Sequence, residues 1–173
     1  RLRIADAKLT FTQDVIQRGG KSHPMYQKVV DAGAERIVVL SGSFDVAAGL
    51  EVPIRCQDLA WPDFLSEDAD YDTVICDPMD TINILFSSGT TGDPKAIPWD
   101  HTTPIKGAMD GYFHHDIRPG DVVAWPTNLG WMMGPWLIFA SLVNKASIAL
   151  FYGTPAGEDF GRFVQDEKVT MLG

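Results

Sequence analysis

Residues 84–99 read ILFSSGTTGDPKAIPW, an apolar run leading straight into a stretch of hydroxyls, glycines and one lysine. Ser87, Ser88, Gly89, Thr90, Thr91 and Gly92 supply hydroxyls together with backbone amides that a ligand can approach without meeting a Cβ, and Lys95 adds a mobile cation three residues later. At the end of a strand in an α/β sheet, where ligands usually bind, such a loop suits a polyphosphate. It is not a Walker loop, because no Gly-Lys-Ser/Thr follows a glycine at the required distance, and this disfavours a standard P-loop kinase or GTPase. Taken alone, the loop could equally be a Gly/Ser/Thr turn without function.

A second group of residues fits an anion. Arg18 and Lys21 flank Gly19-Gly20, just ahead of a helix expected to begin near His23 and Pro24, and two cations beside a helix N-terminus make an anion site. Solvated surface charges are the plain alternative. His101, His114 and His115 have no metal or triad pattern around them and are expected at the surface or at helix ends. The acids between Asp63 and Asp80 have no ligand spacing, so an exposed connection is expected there and no metal site is assigned.

These groups need elements to position them. KLTFT is expected as a strand, HPMYQKVVDAG as a helix closed by Gly33, and RIVVLSG as a second, β-branched strand, together one β-α-β unit. TINILFS is expected as a buried strand that delivers the hydroxyl loop at its end. Ile105, Ala108, Met109, Tyr112 and Phe113 fall at i, i+3, i+4, i+7 and i+8, which predicts a helix with one buried face, with Pro104 in its first turn and RPGD ending it. DVVAW then reads as a strand, GPWLIFASLVNK as a deeply buried helix, ASIALFY as a strand, the stretch around Phe160, Phe163 and Val164 as a helix, and VTML as a last strand. Alternation of this kind predicts an α/β fold: a mainly parallel sheet with helices on both faces and right-handed crossovers.

The chain has 173 residues, enough for one domain with a real core, and at 45% hydrophobic and 21% charged it has an ordinary globular composition. A net charge of -9 argues against a general nucleic-acid surface, so any bound phosphate must be held by local groups. Cys56 and Cys76 match no metal spacing and are too few for a disulfide framework, which favours a reducing intracellular setting; a single bridge between them is the alternative. GWMMGPWLIFASLV is too short to span a bilayer and carries Pro135, so no membrane span is expected. The chain opens on RLRIADAKLTFTQD without an initiator Met or leader pattern and stops near its last strand, as an excised piece would.

SSGTTGDPKAI resembles the phosphate-binding signature of the adenylate-forming, or AMP-binding, superfamily, whose usual form is SGTTG-x-PKG. TNLGWMMGPWLIFASLVNKASIALFYGTP, residues 127–155, resembles the Gly-Trp segment of the acetyl-CoA and acetoacetyl-CoA synthetases and of plant-type acyl-activating enzymes. FTQDVIQRGGKSHPMYQKV resembles the loop of that branch that contacts the phosphates of coenzyme A. The resemblance covers nearly the whole chain and is strongest over residues 82–155.

It implies an ATP-dependent, AMP-forming acyl-CoA synthetase. A carboxylic acid would be activated with Mg2+ and ATP, with Ser87, Ser88, Gly89, Thr90, Thr91, Gly92 and a catalytic Lys95 on the phosphates, and then passed to coenzyme A held by Arg18 and Lys21. By position after Gly130, Trp131, Met132 and Met133 match residues near the acyl pocket, although plain core packing explains each methionine equally well. Two departures, Ala96 in place of the usual Gly and Asn128 in place of the Asp usual in acetyl-CoA synthetases, look like features of the acetoacetyl-CoA and plant-type branch and weaken any specific claim for acetate. The resemblance also implies that residues 1–173 are a single truncated fragment of the large N-terminal AMP-binding domain. The upstream part and the C-terminal domain, with the adenine-contacting motifs, the Mg-binding Glu and a further catalytic lysine, would lie outside the fragment, which alone would be inactive. Cytoplasm or peroxisome would be the location. A non-catalytic nucleotide-binding or assembly module of the same fold, an unrelated nucleotide phosphotransferase and a peptide-synthetase-type adenylation domain are the competing readings; RGGK favours coenzyme A over the last.

Overall fold

The computed structural model describes residues 1–18, 21–43, 49–88 and 92–173. They gather into two compact units, Arg1–Val74 and Ile75–Gly173.

In the first unit, β1 (Thr10–Gln13), β4 (Ile37–Leu40) and β5 (Leu59–Ala60) form a parallel sheet in the order β1-β4-β5, with Thr10 opposite Ile37 and Val38 opposite Leu59. Between β1 and β4 the chain makes an antiparallel hairpin of β2 (Val15–Arg18) and β3 (Lys21–Pro24), followed by α1 (Met25–Asp31). The β-branched run Ile37, Val38 and Val39 is the expected strand and is fully buried, and Tyr26, Ala34, Ile37 and Val39 form the core with Val29, Val30 and Val52 packed on it. A short helix, α2 (Trp61–Phe64), follows β5 and sets Trp61 and Phe64 edge-on to Phe11.

In the second unit, β6 (Thr81–Ser87) and β7 (Lys95–Asp100) form an antiparallel hairpin, and α3 (Thr103–His114) follows directly. Then come β8 (Val122–Ala124), α4 (Met133–Leu142), β9 (Ser147–Ile148), α5 (Gly157–Asp166) and β10 (Met171–Leu172). The last three strands make a parallel sheet in the order β10-β8-β9. Ile117, Val123, Trp136, Leu137, Ala140 and Ala146 form its core. α4 buries Gly134, Pro135, Trp136, Leu137, Ala140 and Ser141, as its nearly uniform apolarity predicts, although Leu142 and Val143 at its end are exposed.

Three expectations need correction. β6 is not a buried parallel strand: it pairs antiparallel with β7, Leu85 is its one buried residue, and Ile82 and Ile84 are exposed. α3 turns the other way. Its buried residues are Gly107, Ala108 and Gly111, whereas Ile105, Met109, Tyr112 and Phe113 are exposed. The physical reason is close approach: a Cβ at Gly111 would sit 2.9 Å from the Ala140 Cβ, so the small residues of α3 let its backbone lie against α4. His23 and Pro24 belong to β3, and α1 begins only at Met25, so Arg18 and Lys21 are hairpin residues and not neighbours of a helix N-terminus.

Cys56 and Cys76 are exposed thiols. Among the described residues, no helix is long and apolar enough to cross a membrane.

Candidate functional site

The hydroxyl loop is the connection of the β6–β7 hairpin. Ser87 closes β6 and pairs with Lys95, the first residue of β7, so the sequence distance between them is folded into one cross-strand pair. Ser88 and Gly92 are exposed, and Gly92 has a φ of +100°, a conformation that side chains with a Cβ avoid. Among the described residues, its chain neighbours aside, no atom lies within 4 Å of where a Cβ at Gly92 would sit. It is the backbone angle that calls for glycine there. Gly89, Thr90 and Thr91 lie outside the described residues. The described part of the loop therefore presents a serine hydroxyl, open backbone and an exposed ammonium at one end of a two-stranded ribbon, an arrangement suited to anionic oxygens.

Ala96 explains its own departure from the common signature. It lies in β7 opposite Phe86, in extended backbone that alanine adopts readily.

The base of the hairpin is tied to α3 by Asp100. Its Oδ1 accepts from the backbone N–H groups of Thr102 (2.9 Å) and Thr103 (3.0 Å) and from both threonine hydroxyls, at 2.7 and 3.1 Å. The hydroxyl bond from Thr102 leads the group of donors that hold the Asp100 carboxyl below the usual carboxylate range. An acceptor there also caps the first turn of α3. Thus Lys95 at one end of β7 and Asp100 at the other connect the loop to the helix that packs on α4.

At the start of α4, the Asn128 Oδ1 accepts from the Gly130 N–H at 2.8 Å, and the Asn128 carbonyl accepts from the Trp131 N–H at 2.9 Å. Asn128 thus keeps a hydrogen-bonding role without a charge. A Cβ at Gly134 would collide with the Leu129 backbone, so the turn folds tightly onto the helix. Of the expected pocket residues, Trp131 and Met132 are exposed, whereas Met133 packs against the core. Core packing thus accounts for Met133, but not for the other two.

In the first unit, Arg18 and Lys21 face each other as the last pair of the β2–β3 ladder, both exposed. Gly19 and Gly20 between them lie outside the described residues. Directly paired residues of an antiparallel ladder project to the same face, and like charges so placed repel; a bound anion would offset that repulsion. The two cations expected beside a helix end are thus a cross-strand pair of a hairpin.

The histidines are peripheral, as expected. His101 and His114 are exposed, with His114 near Asp110 on α3, and His115 lies edge-on to Trp125 and Trp136. Among the described residues, no group of three or more His, Cys, Asp or Glu side chains could hold a metal ion.

Sequence reasoning missed two buried carboxylates in the first unit. Asp58 accepts from the Tyr26 hydroxyl (2.7 Å), the Ile37 N–H (2.9 Å) and the Arg55 guanidinium (2.8 and 3.0 Å). Asp14 accepts from the N–H groups of Val15, Gly42 and Glu51 at 2.6, 2.7 and 2.7 Å. Burial pushes both carboxyls up, but these donors outweigh it and both lie below the usual range. The one available signal was an Asp directly before the RGGK hairpin and another before a strand, too common to single out.

The family described as AMP-binding enzyme matches this chain over residues 1–173. A hexanoyl-CoA synthase of Cannabis sativa is 52% identical, covering 100% of this chain and 24% of the relative, and the probable peroxisomal acyl-activating enzyme 17 of Arabidopsis thaliana is 49% identical with the same coverage. The chain therefore spans about a quarter of the length of these relatives. Among solved structures, an acetoacetyl-CoA synthetase from Streptomyces lividans superposes with a TM-score of 0.78 at 24% identity, covering 100% of this chain and 27% of that one, which shows the fold. With the loop signature, the α/β fold and a family match over its full length, this chain belongs to the AMP-binding enzyme family.

Proposed function

We propose that the protein is an ATP-dependent, AMP-forming acyl-CoA synthetase, and that residues 1–173 form part of its large N-terminal domain. The observation that carries the reading is the β6–β7 hairpin, whose hydroxyl and glycine loop ends at Lys95 in a member of the AMP-binding family. In the first half-reaction a carboxylate oxygen attacks the α-phosphorus of ATP, the bond to the bridging oxygen breaks, and pyrophosphate leaves. Negative charge builds on the departing β- and γ-phosphates. The hydroxyls of Ser87, Ser88, Thr90 and Thr91, the amides of Gly89 and Gly92, and the Lys95 ammonium would stabilise it, each well-placed donor contributing about 3 kcal/mol. In the second half-reaction the thiol of coenzyme A attacks the acyl carbon and AMP leaves, with Arg18 and Lys21 holding the phosphates of the acceptor.

Magnesium enters this reading as the ion that accompanies ATP. The described residues do not gather a set of ligands for it, and no step here is assigned to it. Trp131 and Met132, exposed at the start of α4, suit an adaptable apolar wall for the acyl chain. The hexanoyl-CoA synthase relative makes a six-carbon aliphatic acid the first to try, and the peroxisomal relative supports a peroxisomal location over a cytoplasmic one.

The test is carboxylate-dependent pyrophosphate release by the intact protein across short, branched and long acids, with Lys95→Ala beside it. Release with at least one acid, reduced about 100-fold in the variant, is expected. Supplying preformed acyl-adenylate should restore thioester formation in Lys95→Ala; equal impairment there would remove the loop from the pyrophosphate step. A folded, ATP-binding protein that releases no pyrophosphate with any acid would instead be a binding or assembly module.

A further inference from the structure

We propose that Asp14 is a positioning residue for the acyl acceptor, holding the root of the β2–β3 hairpin and with it the paired cations Arg18 and Lys21. This rests on the reading of that hairpin as the coenzyme A phosphate site.

The side chain of Asp14 is fully buried, yet among the described residues it does not pair with a cation. Its three side-chain partners among the described residues are backbone N–H groups, and each belongs to a different strand end or connection. Oδ1 takes Val15, the first residue of β2, and Gly42, just past the end of β4; Oδ2 takes Glu51. Asp14 also uses its own backbone, donating its N–H to the Leu40 carbonyl at 3.0 Å and accepting the Tyr26 N–H at 3.1 Å from the first turn of α1. One residue thus ties β1, β2, β4, α1 and the segment before Val52 together at the point where the hairpin leaves the sheet. Gly42 makes the approach possible, since any Cβ there would collide with the Val15 carbonyl and crowd the Asp14 Oδ1.

From that root the hairpin runs out in fixed register, Val15 opposite Pro24 and Arg18 opposite Lys21. A two-stranded ribbon has no neighbouring strand to set its direction. Its root must do so. Buried carboxylate-to-amide bonds are among the stronger neutral-donor contacts and are directional, so they fix the exit angle of β2 and thereby the location of the two cations. A small tilt at the root becomes a larger displacement three residues out, and misplacement of about 1 Å at a binding group can cost up to about 100-fold.

The experiment uses the intact protein and two thiol acceptors, coenzyme A and pantetheine, the latter without phosphates. Carboxylate-dependent ATP–pyrophosphate exchange, which needs no thiol, reports adenylation separately. In Asp14→Asn an amide N–H replaces one carboxylate oxygen against a backbone N–H. The expected result is a fall of about tenfold in kcat/KM for coenzyme A relative to pantetheine, carried by KM, with exchange retained. Arg18→Ala/Lys21→Ala is the reference. If that variant leaves the preference for coenzyme A over pantetheine intact, the hairpin does not bind the acceptor phosphates and the underlying reading fails. If it lowers the preference and Asp14→Asn does not, the hairpin reading stands and positioning by Asp14 is overturned. Loss of exchange together with thioester formation in folded Asp14→Asn also overturns it, since the carboxylate would then support the whole unit. Should Asp14→Asn not fold, Glu51→Pro, which removes one donor and keeps the carboxylate, decides: a smaller shift in the same direction supports the proposal, and an unchanged preference overturns it.

Discussion

At the scale of single residues, Asp58 shows how the first unit is held from inside. Its carboxylate is buried, and the Arg55 guanidinium that faces it also donates to the Ala34 carbonyl, while the Arg55 N–H donates to the Tyr26 hydroxyl. Removing the carboxylate would leave a part-buried guanidinium, a buried hydroxyl and a strand N–H without their acceptor. Asp58→Ala should therefore destabilise the protein by about 3 kcal/mol in urea unfolding near neutral pH. The pH dependence has a definite sign. Because the Asp58 carboxyl is depressed in the folded state, its contribution is present above the unfolded carboxylate value of about 3.9 and is lost as pH falls through the lower folded value. The stability gap between wild type and Asp58→Asn should thus be full at pH 7 and shrink toward pH 2; a gap that widens in acid would contradict it. Exposed pairs offer a contrast. Lys106 and Asp110 on α3 are joined by an ion pair, yet with the lysine mostly exposed, Lys106→Ala should change stability by less than about 1 kcal/mol. The Asp58 network was invisible in the sequence because Tyr26 lies 32 positions from Asp58 and 29 from Arg55, beyond any helix or strand period.

At the scale of elements, apolar periodicity and turn residues located β1, α1, β4, β6, α3, β8, α4, β9, α5 and β10, and the Gly-rich signature located the loop, whereas the short β2, β3, β5, α2 and β7 had no such pattern and were not expected. What periodicity could not supply was direction. The stripe Ile105, Met109, Tyr112 and Phe113 is correctly helical, but packing chose the opposite, small-residue face, because Gly107 and Gly111 allow closer contact with α4 than large side chains do. TINILFS is correctly a strand, but an apolar run does not say whether its partner is parallel or antiparallel; Asp93-Pro94 between two extended runs was the overlooked hairpin cue. Two glycines separate the packing explanation from mere propensity. Gly111→Val would press a branched side chain on Ala140 and should lower stability by about 1–3 kcal/mol. Gly161 lies in α5 with open space where a Cβ would go, so Gly161→Ala should raise stability by about 1 kcal/mol. Thermal unfolding of both variants checks the pair; a neutral Gly111→Val would mean that α3 does not rest on α4 through this face.

At the scale of the molecule, the stretch that joins the two compact units is the longest exposed run among the described residues. From Ser66 to Asp80 every residue is exposed, including Tyr71 at 82% and Ile75 at 96%; next to Glu67 the hydrogen bonds are local turns, Asp68 N–H to the Ser66 hydroxyl and Asp70 N–H to Asp68, and further on the Pro78 carbonyl accepts the His101 N–H from outside the stretch. Proteases need exposed, locally bonded backbone of the kind that surrounds Glu67, because the chain must leave its fold to enter a cleft. The other glutamates of this chain are restrained: the Glu51 N–H is held by Asp14, the Glu35 carbonyl lies in the turn bound by Arg55, Glu158 sits in the first turn of α5, and the Glu167 N–H caps that helix. A glutamate-specific protease under native conditions should therefore cut after Glu67 before it cuts at any of these four, an order that mass spectrometry of the time course reads directly. Early cleavage at Glu67 would show that the stretch between the units is accessible in the assembled protein. If Glu67 stays intact while Glu35 or Glu51 is cut, the exposed Tyr71, Val74 and Ile75 are covered there by other parts of the protein, and that stretch is an internal interface.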